Sequence, residues 1–236
     1  MITLYLAGPK FGLPDASPFC TKADVLLKMS GVPYRTAQAD FGKAPKRKIP
    51  YFDDDGHRFS DTTFLRFHLE EKHGVDFDKN LGAREKAGAW AFEKMAEDQV
   101  YWALLDARWT DKANFDKGPR AFFEAVPAPL RAVIVPVIRR SVARDLRGQG
   151  FGRHTKDEIK RLTVRALDAI STQIGDRPWL MGDAPCGADA SVWAMLTGLL
   201  CPHFETPIRT AAERYANLTA YRDRGLALWY PDLAAA

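Results

Sequence analysis

The order of its secondary-structure signals constrains this chain most. Strand and helix patterns alternate as far as Gly74, and from Arg84 on the pattern is helical with almost no strand candidate. Ile2 to Ala7 is a short β-rich run closed by Gly8-Pro9. Ser17-Pro18 then reads as a helix start, a hydroxyl N-cap with proline at the first helical position. Phe19, Ala23, Leu26, Leu27 and Met29 give that helix an apolar stripe, which Gly31 and Pro33 end. Tyr34 to Ala39 suits a second strand, and residues 40–48 leave room only for a turn or a very short helix. Ile49-Pro50-Tyr51-Phe52 and His57-Arg58-Phe59 flank Asp53-Asp54-Asp55-Gly56, where Asp-Gly predicts a hairpin. Ser60-Asp61-Thr62 caps the next helix, which is expected to bury Phe64, Leu65 and Leu69 and to stop at Gly74. The series β-α-β-(short)-β-β-α is a thioredoxin-like layout with a parallel half and an antiparallel half.

The remainder predicts helices only. Arg84 to Trp109 is long and aromatic, and Pro119 to Arg147 is helical but interrupted by Pro127, Pro129 and Pro136. Thr155-Lys156-Asp157-Glu158 is a capping box, followed at helical spacing by Ile159, Leu162, Thr163, Ala166, Ile170 and Ile174. Further helices are expected over 188–200 and roughly 210–227. The fold class is therefore an α/β thioredoxin-like N-terminal domain, residues 1–77, joined to an all-α C-terminal domain, residues 84–236. The boundary falls in the polar stretch between Asp76 and Ala83.

Composition narrows the function classes. A net charge of +4, from 34 basic and 30 acidic side chains, is too mild to argue for a nucleic-acid partner. The three cysteines, Cys20, Cys186 and Cys201, are odd in number and far apart, which suggests no disulfide framework and suits a reducing cytoplasm. The first residues lack a basic n-region, and the greasiest stretch, 121–138, carries Glu124, Arg131 and three prolines. Neither a signal peptide nor an integral membrane segment is expected. Of the five histidines, none forms an HExxH motif, and no CxxC is present; His68 and His73 stand five apart, off a common helix face. No metal site is expected. Arg140, Arg144 and Arg147 form a basic stripe, read as a solvated face.

Several segments together resemble the glutathione transferase superfamily and, within it, the branch of failed-axon-connections and metaxin-like proteins. They are Ser17-Pro18-Phe19-Cys20-Thr21-Lys22 with Gly31-Val32-Pro33-Tyr34, then Lys48-Ile49-Pro50-Tyr51-Phe52 to Ser60-Asp61-Thr62. In the helical half they are Gly150 to Thr155, Trp179 to Asp183, and Pro185 to Asp189. The resemblance runs over nearly the whole chain, and the order and spacing of the motifs carry it.

The resemblance implies glutathione as co-substrate and a small hydrophobic electrophile as the second substrate. Ser17 stands where related folds place the first cysteine of a Cys-Pro-x-Cys pair. A serine there donates a hydrogen bond to the glutathione sulfur but forms no mixed disulfide, so Ser17 is the candidate catalytic residue; the plain alternative is that it merely caps the helix. Cys20 reads as a buried small hydrophobe rather than a redox thiol. Tyr5 is a second candidate hydroxyl, which strand alternation could equally turn into the core. Ile49-Pro50 resembles the family's cis-proline turn, which presents the Ile49 backbone to the cysteinyl part of glutathione; the alternative is a trans edge-strand proline. Asp61 and Thr62 resemble the pair that grips the γ-glutamyl end, although both are also ordinary caps.

One departure bears on affinity. The segment before Pro50 is shorter than in most glutathione transferases, and Lys43, Lys46, Arg47 and Lys48 are candidates to substitute electrostatically for the helix that usually meets the glycyl carboxylate. That basic run otherwise reads as a solvated loop. Trp90, Tyr101, Trp102 and Trp109 lie where the family builds its apolar substrate wall, but large aromatics on such a helix are more often core. Asp189 resembles the family's buried capping carboxylate and is read as structural. The resemblance further implies a possible homodimer. The rival reading is a non-catalytic binding or scaffold protein of the metaxin-like type.

Overall fold

The computed structural model describes residues 1–235. Strand β1 (Ile2–Leu6) leads through a loop to α1 (Pro18–Ser30), and β2 (Tyr34–Gln38) returns parallel to β1. β3 (Tyr51–Asp54) and β4 (His57–Ser60) form an antiparallel hairpin, giving the order β2-β1-β3-β4. Asp55 and Gly56 both take positive φ, 54° and 86°, the backbone that a two-residue hairpin turn requires. Helix α2 (Thr62–His73) closes this thioredoxin-like unit. Ile2, Leu4 and Phe52 alternate onto one sheet face and pack in the same core as Leu26, Leu27, Leu65 and Leu69, all fully buried.

The expected shortening before Pro50 is present as a turn and one 3₁₀ turn, Pro45–Arg47, held by the Ser60 hydroxyl on the Pro45 carbonyl at 3.1 Å. The outer sheet face is instead covered by its own side chains. Tyr5 and Tyr51 stack with ring centroids 4.4 Å apart, and the Arg58 guanidinium lies 5.6 and 5.8 Å from the two rings. Tyr5 is thus half-buried on the outer face and does not enter the core.

The helical domain follows. Helix α3 (Ala83–Met95) runs through a π turn (Ala96–Val100) into α4 (Tyr101–Trp109), so the single long helix read from sequence is continuous but locally widened. Next come α5 (Lys112–Lys117), α6 (Ala128–Gln149), α7 (Lys156–Ile174), α8 (Gly187–Leu199), α9 (Pro207–Ala212), α10 (Ala216–Trp229) and α11 (Pro231–Ala234). Every residue of α8 is buried, and α8 is the post around which α1, α3 and α10 pack. Among the described residues no helix is long and apolar enough to cross a membrane.

Four sequence expectations need correction. Phe64 is 52% exposed, because it lies on the outer face of α2 under the Lys46 ammonium rather than beside Leu65. Leu162 is 38% exposed on α7. The last expected helix is broken into α9 and α10 by a turn over 213–215. The stretch from Pro119 is interrupted ahead of α6 at Pro127, as expected, but Pro129 sits in the first turn of α6, where no amide donor is needed, and Pro136 lies inside a helix that continues past it.

A buried ionic seam joins the two halves. Lys22 of α1 is fully buried and bonds Glu93 at 2.9 Å and Glu97 at 2.5 Å. Arg66 of α2 reaches Glu93 at 3.1 Å and Asp78 at 2.5 Å, and Asp78 accepts the Gly187 amide at 3.0 Å. Gly187 is required at that spot, since a Cβ there would stand 2.5 Å from the Arg66 guanidinium. Lys94 and the Ser191 hydroxyl complete the set on Glu97. Burial alone would raise the Glu97 carboxyl, but Lys22 and Lys94 outweigh it and hold it below the usual range. No sequence motif flagged this seam; the signal was a lysine inside the apolar stripe of α1 and two glutamates four residues apart, one on α3 and one in the π turn that follows it.

Candidate functional site

The start of α1 is built around Asp15, which is 3% exposed. Its Oδ1 accepts the Ser17 amide at 2.7 Å and its Oδ2 accepts the Gly8 amide at 2.6 Å, so one carboxyl ties the end of the first strand to the helix start. Burial pushes this carboxyl up to about 6, against the pull of the two amides. Ser17 has extended backbone, φ −100° and ψ 122°, and its hydroxyl makes no capping bond. The capping role expected for its side chain is therefore not what the structure shows. The hydroxyl is half-exposed at the positive end of a 13-residue helix.

Cys20 lies one turn further in and is fully buried. Burial first, and then the Asp15 charge, push its thiol well above the ordinary range, so it stays protonated and unreactive.

The peptide bond between Ile49 and Pro50 is cis. Ile49 is half-buried and Pro50 buried, next to the hairpin that ends at Ser60. Asp61 follows in an unusual backbone, φ 89°, and its Oδ1 accepts the Thr63 amide at 2.9 Å. Asp61 therefore is a helix cap, with its carboxylate exposed beside the N-terminus of α2; Thr62 is buried in the first turn. Lys94 crosses from α3 to the same place, its ammonium 2.9 Å from the Thr63 hydroxyl and partly exposed. Sequence reading missed Lys94, because nothing in the sequence brings α3 to this helix start. It missed Asp15 too, for which the Asp-x-Ser spacing of a turn was the available signal. The basic residues Lys43, Lys46, Arg47 and Lys48 are all exposed; Lys43 pairs with Asp40 at 3.6 Å.

Beyond Ser17 the helical domain supplies aromatic surface. Phe19 meets Tyr101 edge-on at 4.7 Å, and Tyr101 meets Trp102 at 5.5 Å. Tyr101 and Trp102 are half-buried and pack against the main core, in keeping with the reading of such aromatics as core, whereas Trp109 is half-buried outside it and Trp90 is exposed. Arg108, on the same helix as Tyr101, is 5% exposed, with its Nη2 on the Gly198 carbonyl at 2.5 Å and its guanidinium 4.3 Å from the Phe204 ring centroid. Among the described residues it has no carboxylate partner. Burial lowers its pKa to about 10, and the same cause pushes Tyr101 up to about 12. Gly198 lets these parts meet: a Cβ there would lie 2.9 Å from Leu104, 3.2 Å from Pro18 and 3.6 Å from Arg108. Arg108 is thus one glycine away from the first residue of α1. A separate cleft of about 510 Å³ lies at the other end of α1, between Lys28 and Trp229, and contains none of these residues.

Asp189 lies deep in the helical domain, fully buried. It accepts the Leu180 amide at 3.0 Å, the Cys186 amide at 2.8 Å and the Tyr221 hydroxyl at 2.7 Å. Its role is structural, as read from sequence.

Comparison with known proteins agrees with this geometry. The Glutathione S-transferase N-terminal domain profile matches residues 18–114 and the C-terminal domain profile matches residues 163–225. The chain is 30% identical to the isoprene-epoxide–glutathione S-transferase of a Rhodococcus species, over 83% of this chain and 85% of that protein. It is 28% identical to mouse metaxin-1, over 94% of this chain and 73% of that protein. Failed axon connections of Drosophila melanogaster is 23% identical over 93% of this chain, which spans about half of it, 56%. Among solved structures, the β-etherase LigF of a Sphingobium species superposes with a TM-score of 0.70 at 17% identity, covering 98% of both chains. The chain therefore belongs to the glutathione S-transferase superfamily, and its fold and domain pair are those of that family.

Proposed function

We propose that this protein binds glutathione through residues 1–77 and conjugates it to a small apolar electrophile held against residues 84–236. Ile49, ahead of Pro50, pairs with the cysteinyl backbone of glutathione. Asp61 takes its ammonium, while Thr62 and the N-terminus of α2 take its carboxylate. The Ser17 hydroxyl donates to the sulfur, stabilising the thiolate together with the dipole of α1. The observation that carries this reading is the Ser17 hydroxyl itself: its backbone is pinned by Asp15, yet its side chain has no capping task. The likeness to an isoprene-epoxide transferase supports an epoxide as electrophile. Opening an epoxide leaves an alkoxide, and the Arg108 guanidinium and Tyr101 hydroxyl near α1 suit that charge. We further propose a cytoplasmic protein that pairs as a homodimer through its exposed aromatics, Phe64 and Trp90, which sedimentation tests.

A second reading, a scaffold of the metaxin-like type, is favoured by the likeness to metaxin-1 and by the shortened segment before Pro50. Calorimetric titration with glutathione separates the two. Binding at or below millimolar concentration, with Ser17→Ala retaining affinity but losing about tenfold in conjugation, about 1.4 kcal/mol of transition-state stabilisation, supports the enzyme. No binding at millimolar glutathione supports the scaffold.

A further inference from the structure

A cluster on the far side of the small domain takes no part in this chemistry. Asp54, the last residue of β3, is 1% exposed, and three side chains of α2 converge on its Oδ2: His68 Nε2 at 2.8 Å, Lys72 Nζ at 2.7 Å and His73 Nε2 at 3.0 Å. His68 and His73, five residues apart and off a common helix face, nevertheless meet on one carboxylate oxygen. His73 is the terminal residue of α2, and its side chain reaches back to the carboxylate that His68 meets from one turn earlier. The nearest donor atoms of Asp54, His68 and His73 all lie within 4.8 Å of one another.

A hydrogen-bonded cluster alone would not need a ligand, but this one is incomplete. Asp54 Oδ1 is buried and has no hydrogen-bond partner. The Met1 ammonium is 3.8 Å away, within ion-pair range but too far to hydrogen-bond, and is itself engaged by Asp55 at 2.9 Å. A buried carboxylate oxygen without a hydrogen bond is costly, so a cation on this side would satisfy it. Among the described residues the ammonium on Oδ2 is that of Lys72, whose side chain is 44% exposed.

We propose that Asp54, His68 and His73 bind a divalent transition-metal ion, with Zn²⁺ as the fitting case. Two imidazole nitrogens and a carboxylate are a borderline donor set that suits Zn²⁺ better than Mg²⁺ or Ca²⁺. In a tetrahedral site ligand atoms stand roughly 3.4 Å apart, so the present spacings of 2.8 and 3.0 Å open by only a few tenths of an ångström to admit the ion. The second carboxylate oxygen or a water completes the shell. The bound ion replaces Lys72, offers a cation to the unpaired Oδ1 and ties the end of β3 to the last turn of α2. It acts as a clamp within the small domain, remote from Ser17.

The test uses the whole chain, stripped with a chelator and titrated calorimetrically with Zn²⁺. One equivalent is expected to bind with a Kd below about 10 µM. His68→Ala and His73→Ala should each weaken binding about tenfold or more, while His57→Ala, a neighbouring exposed histidine, should leave it unchanged. Lys72→Met should tighten binding, because the ion no longer displaces an ammonium; ordinary surface-histidine binding would not respond. Co²⁺ in place of Zn²⁺ should give the intense visible bands of a four-coordinate site in the wild type and lose them in folded His73→Ala. Wild-type protein that takes up no Zn²⁺ below about 100 µM, or uptake unchanged in folded His68→Ala and His73→Ala, overturns the proposal.

Discussion

Lys22 and Arg108 are both buried cations at the contact between α1 and the helical domain, and they are treated in opposite ways. Lys22 meets two carboxylates, which in turn are shared with Arg66, Lys94 and Ser191. Arg108 meets one backbone carbonyl and the face of one aromatic ring, that of Phe204. A buried charge whose partners are all supplied by the chain is a structural device. One left with spare donors next to the helix start that carries Ser17 is available to a ligand. The same contrast separates Asp189, satisfied by two amides and a tyrosine, from the Ser17 hydroxyl, which has no cap to make.

The sharpest way to break this contrast is Lys22→Met. It leaves Glu93 and Glu97 short of a partner in the interior, and the expected loss is about 3–5 kcal/mol in urea unfolding. A loss under about 1 kcal/mol would mean the seam is dispensable. Next in size is Asp189→Ala. With three buried donors orphaned, about 2–4 kcal/mol should be lost while glutathione affinity in the folded fraction is kept. Unchanged melting with lost ligand binding would move Asp189 into the site.

Asp15 sharpens the comparison through pH. Its carboxyl is raised in the folded state from 3.8 to about 6, so protonation favours folding. The stabilisation is fully present below the unfolded value near 3.8 and is lost as pH rises through about 6. The whole step is on the order of 2–3 kcal/mol. Wild type should therefore lose stability relative to Asp15→Asn between pH 4 and pH 6, followed by denaturation at fixed ionic strength. A flat difference across that window would show that the two amides, not burial, govern the group. The smallest expected stability effect belongs to Arg108→Met, within about 1 kcal/mol of wild type, since an apolar side chain replaces a charge with no anionic partner. Conjugation of an epoxide should nevertheless fall about tenfold or more. A large stability loss with intact turnover would make Arg108 a second Lys22.

The succession of elements is written in the chain locally, because periodicity, caps and turn residues act over a few residues. Ser17-Pro18 began α1, Asp55-Gly56 turned the hairpin, Asp61 capped α2 and Thr155 with Glu158 boxed α7. The motifs also sufficed to indicate the family, since their order along the chain survives without coordinates. Only tertiary structure decided which polar groups are spent inside the protein and which are left over. Lys22, Lys94 and Arg108 look alike as sequence, yet one is locked in a seam, one reaches the start of α2 and one stands without a carboxylate partner. His68 and His73 looked separate at five residues and meet on Asp54, because β3 delivers a carboxylate to the end of α2. The physical reason is the same throughout. Local backbone preferences reach three or four residues along the chain, whereas pairing of buried charges depends on which distant segments the core brings within about 3 Å.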